Sequence, residues 1–237
     1  VKMYLSSIIP AGRIQDLLNI AQSSLAPMLQ GALHYTIPLT ILSFIFGMIL
    51  AILTALGRLS KIGFLRGAAR FYVSAIRGTP LLVQLFIIFY GLPSLDIEWL
   101  KFDPFPSAVI GFSLNVGAYA SEIVRAAILS IPKGQWEAGY SIGMTNNQTL
   151  KRIILPQAAR VSIPPLSNTF ISLIKDTSLA SLILVTELFR RAQEIAATNY
   201  EFLLLYTEAA LLYWVMCFIL SVIQGRIEAR LERYVAK

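Results

Sequence analysis

Between Leu17 and Gly57 the chain contains no Asp, Glu, Lys or Arg. About 20 apolar residues are enough to cross the hydrocarbon of a bilayer, and this uncharged run is roughly twice that long. Only 14% of the 237 residues are charged and 56% are apolar, whereas soluble domains carry roughly a quarter charged residues. A water-soluble globule is thereby excluded. The chain reads as one all-α membrane domain, without internal repeats or low-complexity tracts.

The net charge of +7 would suggest nucleic acid in a soluble protein. Here the cations fall in short segments between apolar spans, where they set topology and meet anionic lipid, so no nucleic-acid partner is expected. With a single Cys (Cys217) and a single His (His34), neither an internal disulfide nor a thiolate–imidazole metal site can form. Arg13 and Asp16 interrupt any signal-peptide core. Ile14, Leu17, Leu18, Ala21 and Leu25 recur at helical spacing, which predicts an amphipathic surface helix ending near Pro27.

Five crossings are expected, at about 29–56, 71–92, 105–129, 161–188 and 202–224. The connections after spans one and three and the tail after span five carry twelve basic residues, from Arg58 to Lys237. The other connections and the N-terminus carry five: Lys2, Arg13, Lys101, Arg190 and Arg191. The excess of Lys and Arg puts the N-terminus outside and the C-terminus in the cytoplasm, as an odd span number requires. Residues 1–28 then form an extracytoplasmic or interfacial segment, 29–225 the five-span domain, and 226–237 a basic cytoplasmic tail. Span four is too long for a ~30 Å hydrocarbon layer. It is expected to break near Lys175-Asp176-Thr177-Ser178 and continue as a short apolar piece, with its backbone buried or facing water.

The cytoplasmic connection 130–160 predicts a helical hairpin. A first helix runs from Lys133 to Ile142 and stops at Gly143, a residue suited to a left-handed turn. Thr145-Asn146-Asn147-Gln148 has the form of a capping box for a second helix ending near Pro156. The small residues Ala138, Gly139, Ser141 and Gly143 would let the hairpin sink into a partner's groove, and Glu137 would meet a basic residue or a helix end there.

Glu137-Ala138, Gly143 and then Ile153, Leu155 and Pro156 read E-A-x-x-x-x-G, nine residues, I-x-L-P. This resembles the loop by which permease subunits of ATP-binding-cassette (ABC) importers dock on their ATP-hydrolysing subunits, with Gly139 where that motif usually has a second Ala. Arg77-Gly78-Thr79-Pro80, the run Asn115–Arg125, and Leu155–Ala158 through Lys175–Leu179 are similar to the polar amino-acid branch of that family. Gly134–Ala138 and Pro164–Asn168 look most like its cystine-type members. The resemblance spans roughly residues 30–233 and implies a type I ABC importer permease in a bacterial cell membrane. It implies docking through Glu137, Ala138, Gly139, Gly143, Ile153, Leu155 and Pro156. It also implies a dimer of permeases, identical or paralogous, two ATP-binding subunits and an extracytoplasmic amino-acid-binding protein. ATP and Mg then belong to the partner, and the chain is not itself an enzyme: it has no G-x-x-x-x-G-K-[ST] loop.

Ionisable and polar groups at membrane depth are candidates for a substrate path or gate: Arg77, Asn115, Glu122, Asn168, Ser172, Lys175 and Asp176. Each has a plainer reading. Arg77 can snorkel, Glu122 can pair with Arg125 one turn away, and Lys175 can pair with Asp176. The rival functions are an ion-coupled secondary transporter, an intramembrane enzyme, and a same-fold permease for another solute. Five spans offer no symmetric repeat for the first, and one His and one Cys offer little to the second.

Overall fold

The structure is a computed structural model and describes residues 11–232. The first ten residues and the last five, with Lys2, Arg233 and Lys237 of the topology argument, lie outside the described residues. Among the described residues there are ten α-helices. They are α1 (Ala11–Gly31), α2 (Ile37–Leu59), α3 (Gly63–Arg77), α4 (Leu81–Phe86), α5 (Pro104–Ser130), α6 (Lys133–Ser141), α7 (Asn146–Thr149), α8 (Leu155–Asp176), α9 (Leu188–Asn199) and α10 (Phe202–Glu232). No strand occurs among the described residues.

Three helical runs are long and apolar enough to span a bilayer: Gly12–Leu59, Pro104–Ser130 and Phe202–Arg230. Two bent pairs bring the number to five if each counts as one span. Gly63–Arg77 and Leu81–Leu95 meet at 104°, and Asn146–Ile183 and Leu188–Asn199 meet at 49°. The expected straight second span, 71–92, is therefore corrected to a sharp corner at Gly78-Thr79-Pro80. A residue preceding proline avoids the helical region, which stops α3. The corner is then stapled by the buried Gln84, whose Nε2 donates to the Ile76 carbonyl at 2.8 Å, the Thr79 carbonyl at 3.1 Å and Thr79 Oγ1 at 2.9 Å.

Two other expected helix ends are overridden. The first helix does not stop near Pro27, and the hairpin's second leg does not stop at Pro156. An interior proline costs about 3 kcal/mol. Around Pro27 packing outweighs it: Met28 and Ala32 bury against Leu188, Ala192, Ala196, Leu205 and Ala209. At Pro156 the backbone itself adapts. A π-helical turn, Leu150–Ile154, lets Leu155 N–H reach the carbonyl five residues back. The same device precedes Pro38 and Pro93, where Ile37 bonds to Ala32 and Leu92 to Ile87. Widening the turn just before a proline loosens the clash with the preceding carbonyl and keeps the helix running.

Span four is not interrupted near Lys175–Ser178 as expected; the helix changes type there, and the break and its 49° bend follow at residues 184–187. Its α-helix ends at Asp176, and Thr177–Ile183 continues as a tighter 3-10 segment. Leu184 then takes a left-handed conformation (φ 67°) before the turn into α9. The central packing is α2 on α5, with α8 across them. Phe112, Leu39, Leu85, Leu173 and Ile183 fill it, and small residues let the backbones close. A Cβ on Gly47 would lie 2.6 Å from Val116, and one on Gly111 2.6 Å from Leu85. Lipid supplies little hydrophobic drive between helices, so such contacts carry the association.

Candidate coupling hairpin and membrane-depth cleft

In the hairpin, Pro132 is the residue just before α6, at its N-cap. After α6, Gly143 has φ +80°; its N–H bonds to the Tyr140 carbonyl, and the Met144 N–H bonds to that of Gly139. These two bonds form a Schellman motif, which favours glycine because a side chain is strained at positive φ. The capping box forms as the sequence predicts. Thr145 Oγ1 accepts from Gln148 N at 3.3 Å, and Gln148 Oε1 accepts from Thr145 N at 2.8 Å.

The predicted docking residues divide by where they point. Glu137, Ala138, Gly143 and Pro156 are exposed. Gly139 is buried, and a Cβ there would meet Thr149 Cγ2 at 2.6 Å. Its smallness joins the hairpin's two legs; it does not enlarge the outer surface. Ile153 and Leu155 pack with Ile154, Ala158, Ala127 and Ile128, anchoring the hairpin to the end of α5. The tip also presents two apolar side chains that the sequence reading missed, Ile142 at 71% and Tyr140 at 47% exposure. Their place beside the predicted stop glycine was the available signal.

A second feature lies at membrane depth. A cleft of about 550 Å³ is lined by Thr79, Asn115, Tyr119, Asn168, Ser172 and Asp176, among others, a volume usual for small-molecule sites. Asn168, Ser172 and Asp176 recur every four residues and so share one face of α8; Asn115 and Tyr119 do the same on α5. Asn115 is eleven residues into α5, about 17 Å from its start. The cleft unites four of the seven membrane-depth candidates: Asn115, Asn168, Ser172 and Asp176. Arg77 lies at its rim, 5.1 Å over the Tyr119 ring. Asn168 Oδ1 also accepts from Gln224 of α10 at 3.0 Å. The lining offers amide and hydroxyl donors together with one carboxylate, the two needs of a zwitterion.

Two candidates lie elsewhere. Glu122 pairs with Arg125 at 3.0 Å and with Arg58 of α2, a tie between α2 and α5. Lys175, adjacent in sequence to Asp176, lines a separate pocket of about 530 Å³ with Phe189, Tyr206, Tyr213 and Trp214. The sequence reading also overlooked Glu187. It is fully buried, accepts from the Phe189 and Arg190 N–H groups at 2.9 and 2.7 Å, and accepts from Tyr213 Oη at 2.5 Å. In the loop after α4, Lys101 donates to Glu98 at 2.6 Å and Asp96 at 3.1 Å; these bonds hold its ammonium above the ordinary lysine pKa.

The family to which this fold belongs is decided by comparison with known proteins. Residues 43–233 match the family described as binding-protein-dependent transport system inner membrane component. The chain belongs to that family. It is 69% identical, over 92% of its length and 93% of the relative's, to the L-cystine transport system permease protein TcyB of Bacillus subtilis (strain 168). It is 41% identical, over 88% of its length and 91% of the relative's, to the probable amino-acid ABC transporter permease protein YckA of the same organism. The fold superposes on the crystal structure of an amino acid ABC transporter with histidines, at TM-score 0.84 and 32% identity, covering 90% of this chain and 98% of that one. Family membership, multi-pass membrane character and the type I importer permease fold follow.

Proposed function

We propose that the chain is the membrane-spanning permease subunit of an ATP-driven importer for L-cystine. The observation that carries the solute is the 69% identity to a cystine permease over nearly the whole of both chains. The cleft chemistry supports it. Asp176 can accept hydrogen bonds from an ammonium, and the amides of Asn115 and Asn168 with the Ser172 hydroxyl can donate to a carboxylate.

In this reading the five spans run from an extracytoplasmic N-terminus to a cytoplasmic C-terminus, as the charge asymmetry supports. Two permeases, identical or paralogous, each seat a hairpin in one ATP-binding subunit, which holds ATP and Mg. A binding protein delivers the amino acid from outside. Glu137, Ala138, Tyr140, Ile142 and Gly143 form the seated knob, while Gly139, Ile153 and Leu155 stiffen it and Pro156 starts the shaft. Closure of the ATPase dimer moves the hairpin, and α8, continuous with its second leg, carries that motion to the cleft. Arg77 and Tyr119 frame the cleft's edge.

The test is reconstitution of the assembled transporter in proteoliposomes, with ATP hydrolysis measured against cystine, glutamine, histidine and methionine. Cystine should stimulate most. Stimulation by another amino acid with no response to cystine overturns the solute, while leaving the permease role intact. Glu137→Lys and Gly143→Leu should each abolish solute-stimulated hydrolysis with the chain still folded; undiminished uptake in both removes the hairpin from coupling.

A further inference from the structure

Apart from Arg77 at its last turn, the outer surface of α3 has no part in the mechanism above. Its inner face is ordinary packing: Val73 is buried, Ala69 Cβ lies 3.4 Å from where a Cβ on Gly57 would sit, and Tyr72 Oη donates to the Leu114 carbonyl at 2.6 Å. Outward, Phe64 and Phe71 are 82% and 76% exposed. They are seven residues apart, so they share a row. Arg66 and Arg70 are also exposed and form another row, about 130° further round the helix, which ends in Arg77 at the cleft's rim. Exposed Lys61 precedes the helix. Neither α3 nor the turn before it contains an acid. Among the described residues, Lys61, Arg66 and Arg70 form no ion pair.

Two bare aromatic rings on one row and uncompensated cations on another match a helix lying at a lipid boundary. An anionic leaflet supplies the countercharge that the protein lacks. We propose that α3 is an anionic-lipid-binding element of the cytoplasmic leaflet, with Phe64 and Phe71 in the acyl layer and Lys61, Arg66 and Arg70 on phospholipid headgroups. The cytoplasmic placement rests on the topology proposed above; the solute plays no part in it. The corner at Gly78–Pro80 connects α3 to the cleft through Thr79, so headgroup occupancy sets the angle at which α3 meets the transport path. Transport by the whole assembly then depends on anionic lipid.

The experiment uses the assembled transporter in nanodiscs of phosphatidylcholine with graded phosphatidylglycerol. Each basic residue near an anionic surface is worth about a fivefold preference for it. Lys61→Gln with Arg66→Gln and Arg70→Gln should therefore lower phosphatidylglycerol co-purification at least tenfold and flatten the rise of ATP hydrolysis with its mole fraction. Activity in pure phosphatidylcholine should stay unchanged. Nitroxides placed by Phe64→Cys and Phe71→Cys should be accessible to oxygen dissolved in the bilayer. Equal phosphatidylglycerol retention by wild type and variant overturns the proposal. So does shielding of both labels from the bilayer, which would mean that another subunit covers α3. Lipid retention and label depth are read without solute or nucleotide, so a wrong solute assignment leaves them interpretable.

Discussion

The coupling hairpin and the cleft are built by opposite means. The hairpin is held by neighbours in sequence: Gly143 and Met144 bond back to Tyr140 and Gly139, and Thr145 trades bonds with Gln148. The cleft and its flanking corners are held by reach. Gln84 bridges the break between α3 and α4, and Glu187 ties α9 to Tyr213 of α10. A part that transmits force gains from local, stiff closure. A part that must rearrange is pinned by a few polar contacts, each of which can be exchanged without unwinding a helix.

That contrast fails or sharpens under substitution. The largest effect is expected at the long-range pin. Glu187→Ala leaves a half-buried tyrosine hydroxyl and two helix-start N–H groups without their acceptor, at about 1–3 kcal/mol for each group left unsatisfied. The purified chain should melt markedly lower in detergent, and Glu187→Gln should recover part of the loss. A melt unchanged in Glu187→Ala would make the corner self-supporting.

Next comes the seam between the hairpin legs. Gly139→Ala puts a Cβ onto Thr149 and should cost about 1–3 kcal/mol, as overpacking does. Combining it with Thr149→Ala should return most of that cost, read as a coupling energy in a double-mutant cycle. Additive losses would mean that the seam is looser than the structure shows. The smallest effect belongs to a purely local cap. Thr145→Ala should cost about 1 kcal/mol and lower the ratio of transport to hydrolysis only slightly.

The same division explains what could be read beforehand. Hairpin caps are written within three residues, so Gly143 and the Thr145–Gln148 box were visible in sequence; at Lys175-Asp176 the polar run marked a change of helix type, and the break itself lies further on, at residues 184–187. Spans were visible because lipid demands apolar length. The corner at Gly78–Pro80 was read as span interior, since hydropathy averages over a bend and carries no angle. Glu187 fell inside the expected fourth span and was not singled out; its partners are the N–H groups of the helix it caps and Tyr213, 26 positions on. Gly139 was assigned outward because small size says nothing about which side it serves. Asn168, Ser172 and Asp176 were picked singly as polar residues at depth, although their spacing of four already put them on one face.

The widened turn ahead of Pro156 has a further consequence. One additional residue in a turn advances everything beyond it by about 100° of screw, so the direction in which the hairpin's tip points is fixed by where that slip occurs rather than by the length of the shaft. Removing a single residue from Leu150–Ile154 would swing the knob around its own stem. A lever of this kind is aimed by a defect in its thread, and the proline keeps the defect in place.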